Sequence, residues 1–130
     1  MANERILIVE DNEKNRKLVR DVLQFKGYRT MEAESGELGV ALARESRPAL
    51  ILMDIQLPGM SGIEALAHLR ADPTTRDIPI VAVTASAMMQ DRQRILAAGF
   101  DGYQSKPISI VDFVAAVRST LDARVGGGSA

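Results

Sequence analysis

Asp54 ends a run of four apolar residues, Leu50-Ile51-Leu52-Met53, and leads into Ile55-Gln56-Leu57-Pro58-Gly59. Other short segments end in groups of matching chemistry. Glu10 and Asp11 follow Ile6-Leu7-Ile8-Val9, Thr84 follows Ile80-Val81-Ala82-Val83, and Lys106 follows Asp101-Gly102-Tyr103-Gln104-Ser105. In an open α/β sheet, ligands bind in the crevice outside the carboxyl ends of the strands. Acids, a hydroxyl and an ammonium gathered at that edge are suited to moving a phosphoryl group.

The acids set the terms. Two carboxylates ~5 Å apart repel by roughly 3 kcal/mol at an effective dielectric of 20, so Glu10, Asp11 and Asp54 together call for a cation. Hard oxygens around a site that must also admit phosphate suit Mg²⁺, which keeps several waters and takes one or two carboxylates. Glu10 and Asp11 are adjacent and point in different directions, so at most one touches the metal directly while the other acts through water. A backbone carbonyl of the Asp54–Gln56 turn, that of Gln56, completes the ligand set. One histidine and no cysteine leave nothing for zinc. Asp54 is the candidate nucleophile, since carboxylates form acyl phosphates. Thr84 offers a hydroxyl to a phosphoryl oxygen, and Lys106 a point charge. Pro107 is a candidate cis peptide that would direct the lysine inward. Singly, each group also has a plain reading: a solvated turn for Glu10-Asp11, a loop acid for Asp54, β propensity for Thr84, a surface lysine for Lys106. Their joint spacing favours the chemical one.

The elements that must position these groups are legible as alternation. Strand-length apolar runs and segments of helical period succeed one another five times, the mark of βα units and a parallel sheet. The expected strands are Arg5 to Val9, Tyr28 to Glu32, Ala49 to Met53, Ile78 to Val83 and Gly102 to Gln104, the second polar enough for an edge. A first helix from Glu13 to Lys26, with Leu18, Val22 and Phe25 near one face, stops at Gly27, a residue free to adopt positive φ. The second starts after Ser35 and ends before Pro48. Ser61-Gly62-Ile63-Glu64 reads as the capping box of a third, and a fourth ends at Gly99. In the fifth, Ile110, Phe113, Val114, Val117 and Leu121 form an apolar stripe.

With 130 residues the chain is one domain. Residues 1–124 form it, and the Gly-rich 125–130 have the composition of a flexible tail. A net charge of −1 gives no positive excess for nucleic acid or an anionic membrane. The absence of cysteine, of a signal-peptide pattern and of any run near the ~20 apolar residues that span a bilayer places the chain in the cytoplasm. His68 reads as a solvated helix residue, and Arg92 and Arg94 as helix-face charges. Met88 and Met89 read equally as core or as an adaptable partner surface, and Phe100 as core.

The pattern Ile8-Val9-Glu10-Asp11-Asn12, Leu52-Met53-Asp54 to Gly62, Val81-Ala82-Val83-Thr84-Ala85 and Lys106-Pro107 resembles the receiver domain of two-component response regulators, over about residues 5 to 124. Within that family it resembles the single-domain receivers of the DivK type, through Met53-Asp54-Ile55-Gln56-Leu57-Pro58, Ala82-Val83-Thr84-Ala85 and Tyr103-Gln104-Ser105-Lys106-Pro107-Ile108-Ser109. The resemblance implies a flavodoxin-like, doubly wound α/β fold, five parallel strands in the order 2-1-3-4-5. It implies a histidine kinase or phosphotransfer protein donating to Asp54, Mg²⁺ organised by Glu10 and Asp11, Thr84 sensing the phosphoryl group, Lys106 binding it, and Ala85 keeping the site open. Tyr103 stands where such domains carry a rotating aromatic, its alternative being an amphipathic rim residue. The expected output is contact with a downstream protein through the fourth helix, fifth strand and fifth helix, since no effector domain or helix-turn-helix is present. Such a domain assists its own phosphorylation and hydrolysis without being a conventional enzyme. A phosphohydrolase of the haloacid dehalogenase kind needs a second acid two residues after the first, where this chain has Gln56. A flavodoxin needs a hydroxyl-rich phosphate loop where it has Glu10-Asp11-Asn12-Glu13. A receiver excised from a hybrid kinase stays open.

Overall fold

The computed structural model describes residues 4–85, 89–106 and 110–129. Strands β1 (Arg5–Val9), β2 (Arg29–Ala33), β3 (Leu50–Asp54), β4 (Ile80–Thr84) and β5 (Gly102–Ser105) alternate with helices α1 (Glu13–Phe25), α2 (Gly36–Ser46), α3 (Gly62–Ala71), α4 (Met89–Ala98) and α5 (Ile110–Ser129). All strand pairs are parallel, in the order β2-β1-β3-β4-β5. The central strands β3 and β4 are buried along their whole length, as their unbroken apolar runs require of strands covered on both faces.

Each face has its own core. Leu7, Ile51, Met53, Ile80 and Ala82 pack with Val40 and Ala43 of α2, Leu66 and Leu69 of α3 and Ile95 of α4, and Phe100 belongs to this cluster. Ile6, Ile8, Leu50, Leu52 and Val81 pack with Val19 and Leu23 of α1 and Phe113, Val117 and Leu121 of α5. Strand pleating, which sends alternate residues to opposite faces, therefore decides which layer each strand-end residue meets.

The helix punctuation follows the expected chemistry. Asn12, Ser35 and Ser61 each cap a helix by accepting from the amide three residues on, and Ser61 and Glu64 complete the capping box. Gly27 and Gly99 follow α1 and α4 with positive φ of 93° and 117°. At the end of α2, however, the left-handed cap is Arg47 (φ 45°).

Several expectations are corrected. β3 and β4 reach one residue further than predicted, so Asp54 and Thr84 are the last ladder residues, paired with Val83 and Ser105. α1 buries Val19 and Leu23, while Leu18 and Phe25 are 46% and 85% exposed and Val22 is partly buried. The stripe Leu18-Val22-Phe25 has the same period, but it is turned by one residue, about 100°. Periodicity alone could not choose between the two. In α5, Ile110 is exposed and the buried stripe is Phe113, Val117 and Leu121, because the first turn lies at the rim of the layer. α5 also takes in residues up to Ser129, for which composition predicts a flexible tail. The side-chain readings for Met88 and Met89 and the cis-peptide reading for Pro107 fall outside the described residues. None of the described helices is long and apolar enough to cross a membrane.

The orientation of α1 is open to direct measurement. Leu23→Ala should cost about 2–5 kcal/mol in urea unfolding, as expected for a truncated core leucine. Phe25→Ala should stay within about 0.5 kcal/mol, as at most exposed positions. Comparable losses in the two variants would mean that α1 packs through the other stripe.

Candidate functional site

The carboxyl ends of β1, β3, β4 and β5 bring the expected residues together. Glu10 and Asp54 are 5% and 4% exposed, unusually low for carboxylates. Glu10 shares strand parity with Ile6 and Ile8, and Asp54 with Leu50 and Leu52, so both belong to the α1–α5 side of the sheet. With exposed Asp11 they form a set in which each residue offers an oxygen within 4.8 Å of the others.

Their polar partners are specific. Gln56 N donates to Asp54 Oδ1 at 3.0 Å, and Lys106 Nζ donates to Asp54 Oδ2 at 3.0 Å. Lys106 Nζ also lies 2.7 Å from Glu10 Oε1, and Asn12 N donates to Glu10 Oε2 at 3.2 Å. The ammonium therefore sits where charge repulsion demands a cation, on two of the three acids. Burial pulls the Lys106 pKa down, but hydrogen bonds and charge from Glu10 and Asp54 outweigh it, leaving the pKa above the ordinary lysine value. Gln56 meets Asp54 through its amide N–H, whereas the sequence reading assigns its carbonyl to a metal.

Thr84 is buried and shares parity with Ile80 and Ala82, on the α2–α3–α4 side. Its carbonyl accepts from Lys106 N at 2.7 Å, which ties the ends of β4 and β5 together. Tyr103, opposite Ala82 in the ladder, packs partly buried against the same cluster. The Arg92 guanidinium lies 5.9 Å from its ring centroid, within cation–π range. The site is thus divided by the sheet: the two buried acids belong to one face, Thr84 and Tyr103 to the other. His68 is exposed on α3, away from the acids.

Two contributors escaped the sequence reading. Asn12 caps α1 and also holds Glu10 through its amide; the Asx signature of a cap was present after Asp11. Gly62 opens α3 directly against the Asp54 carbonyl, where an added Cβ would collide with that oxygen and with Ile55 Cα. Its N–H donates to Ile55 O at 3.0 Å. The sequence suggested Gly62 as part of the capping box and of the receiver-like pattern, without this contact.

A five-stranded doubly wound sheet with acids, a threonine and a lysine at its carboxyl edge defines the receiver class, and the comparisons agree. The family model for the response regulator receiver domain matches residues 6–118, and the chain belongs to that family. It is 49% identical over 116 residues to the polar-differentiation response regulator DivK of Brucella anthropi, covering 89% of this chain and 94% of that protein. DivK of Brucella ovis matches to the same extent. Among solved structures, the receiver domain of a sensor histidine kinase from Pseudomonas aeruginosa, crystallised with a magnesium ion coordinated in its active-site cleft, superposes with a TM-score of 0.86 at 34% identity. That match covers 93% of this chain and 99% of the other. The chemotaxis protein CheY4 of Vibrio cholerae gives 0.85 at 26% identity, over 92% and 99% of the two chains.

The ion pairs of Lys106 carry a pH signature. Because its folded pKa is raised, the contribution to stability is complete below the unfolded lysine pKa of about 10.4. It is lost as pH rises through the higher folded value. A heteronuclear titration of the metal-free protein should place the Lys106 Nζ midpoint above ordinary lysine, and Asp54→Asn should lower it. An unchanged midpoint in that variant would remove the Asp54–Lys106 pair from the site.

Proposed function

We propose that this protein is a response regulator that takes a phosphoryl group onto Asp54 from a histidine kinase or phosphotransfer protein and signals by phosphorylation-dependent contact with another protein. The observation that carries the reading is the state of Asp54: a buried carboxylate with one oxygen held by Gln56 N, the other by Lys106, beside two further acids. An Asp54 oxygen attacks the phosphorus of a phosphohistidine, forming an O–P bond as the N–P bond breaks. The histidine nitrogen keeps the electron pair and takes a proton. Lys106 moves from its carboxylate partners onto a phosphoryl oxygen, and Thr84 donates its hydroxyl to another. The domain thus supplies positioning and charge stabilisation for gain and loss of the phosphoryl group, without being a conventional enzyme.

Mg²⁺ suits the donor set. Glu10, Asp11, Asp54 and the Gln56 carbonyl are hard oxygen ligands, and the position of Lys106 shows that the set already attracts positive charge. When bound, the ion would neutralise the charge that develops between phosphoryl oxygens and carboxylates. Its presence in the Pseudomonas receiver supports this assignment.

Readout goes through Thr84 and Tyr103 to α4, β5 and α5. A modification shifts an equilibrium only by its differential interaction with two states. Thr84 drawn toward the phosphoryl group vacates space on the α2–α3–α4 side for the Tyr103 ring. Residues 1–124 constitute the receiver, and α5 continues beyond them to Ser129. The near-neutral surface fits a cytoplasmic protein-binding role rather than direct contact with nucleic acid or membrane.

Incubation with a small phosphodonor and Mg²⁺ should yield one hydroxylamine-labile phosphate, absent in Asp54→Asn; label retained in that variant would refute the assignment. Thr84→Ala should still accept phosphate, yet amide shifts in α4 and β5 on adding beryllofluoride should be much smaller than in wild type. Equal shifts would send the signal out by another route.

A further inference from the structure

We propose that Arg16 is a positioning residue for the metal-binding acids: braced by Glu32, its guanidinium fixes the peptide between Glu10 and Asp11, and with it the direction in which Asp11 leaves the chain. The inference rests on reading Glu10, Asp11 and Asp54 as a Mg²⁺ site.

Glu10 is where the chain leaves the sheet. Its amide still reaches β2, donating to Ala33 O at 3.0 Å. The β1–β3 register, however, ends at Val9 and Met53, so the Glu10 carbonyl has passed the ladder. A buried carbonyl needs a donor, and Arg16 Nη1 provides one at 3.0 Å. The guanidinium is itself held. Nε donates to Glu32 Oε1 at 3.1 Å, and Glu32 Oε2 accepts from Arg20 Nη1 at 3.2 Å. The Arg16 side chain is only 17% exposed. From the backbone side, Arg16 N donates to Asn12 O at 2.9 Å, closing the first turn of α1.

The planar fork of a guanidinium has fixed donor directions, so the bond to Glu32 aims Nη1 at the carbonyl. That carbonyl shares one rigid plane with the Asp11 amide. Fixing its oxygen therefore fixes the plane from which Asp11 departs. Asp11 is the acid most in need of this: it is exposed, whereas Glu10 and Asp54 are buried and both held by Lys106. Glu32, on the edge strand β2, is thereby linked to the acid cluster through one side chain.

Charge and position make opposite demands. Arg16 is a cation beside an anionic cluster, so losing its charge alone would tighten Mg²⁺ binding. Losing the brace would weaken it. Supporting groups around metal ligands commonly change affinity by 10-fold or more.

Magnesium titrations of the full chain, followed by amide resonances, separate the two. Arg16→Lys keeps the charge but lacks the fork that spans Glu32 and the carbonyl, and Arg16→Gln loses both. Arg16→Lys should bind Mg²⁺ about tenfold more weakly. Arg16→Gln should also bind more weakly than wild type but by less, because its lost charge partly offsets the lost brace. In the metal-free Arg16→Lys protein the Asp11 amide should shift while core amides of β3 and β4 stay in place. Glu32→Gln should weaken binding too, and the Arg16→Gln/Glu32→Gln double variant should bind no worse than Arg16→Gln alone. Wild-type affinity in Arg16→Lys, tighter binding in Arg16→Gln, or fully additive losses in the double variant would overturn the brace. If Arg16→Gln does not fold, the Arg16→Lys and Glu32→Gln titrations decide. Wild-type protein that fails to bind Mg²⁺ would overturn the metal-site reading, and the brace with it.

Discussion

Mutual repulsion of three carboxylates is the constraint around which this sheet edge is built. Glu10, Asp11 and Asp54 place oxygens within 4.8 Å of one another, and a pair of such charges costs on the order of 3 kcal/mol at an effective dielectric of 20. Two of them are buried, which raises the cost of leaving them uncompensated. Lys106 meets this need with one ammonium shared between Glu10 and Asp54. Since one lysine cannot neutralise three acids, the cluster keeps a net negative charge that attracts a divalent cation. In the proposed mechanism the same lysine that stabilises the resting site is then available to an incoming phosphoryl oxygen.

The parallel sheet makes such a cluster possible without a long loop. Parallel strands all end on the same side, and pleat parity assigns neighbouring strand ends to different layers. Asp54 shares the parity of residues packed on α1 and α5, whereas Thr84 shares that of residues packed on α2, α3 and α4. A chemical event on one face is therefore one residue of ladder away from the core of the other. The close approach at Gly62 limits the freedom of the Asp54 backbone itself, so change at the site is directed into side chains and into β4 and β5.

Much of this was legible in the sequence, for identifiable reasons. Unbroken apolar runs located β3 and β4, and glycine, proline and serine signals located helix ends within about a residue or two. The acids, Thr84 and Lys106 could be placed together because each follows a strand, and strand ends in this topology converge. What escaped depends on rotation and long-range contact. The face of α1 was misassigned because Leu18-Val22-Phe25 and Val19-Leu23 are both helical spacings, and only the packed sheet selects one. The role of Gly62 depends on the backbone of β3, and that of Arg16 on Glu32, sixteen residues away. Neither leaves a local periodic signal.

The proposed output face differs from the site in how firmly it is held. Arg70 donates to the carbonyls of Arg76, Ile78 and Gly99 and to Asp101 Oδ2, which also accepts from Ile80 N. These bonds tie the carboxyl end of α4 to α3 and to the start of β4. Ile95 and Phe100 are buried there as well. Further from that anchor, the Arg92–Tyr103 contact is an exposed cation–π pair, worth about 0.5–1 kcal/mol. In the proposed switch, a tied carboxyl end and a weak aromatic contact would favour rotation of α4 about that carboxyl end over displacement of the whole helix. Interactions of that size change a two-state population by only about two- to fivefold. In the proposed switch the balance lies within reach of a single phosphoryl–threonine hydrogen bond, because hydrogen bonds to charged groups contribute roughly 1.5–3 kcal/mol.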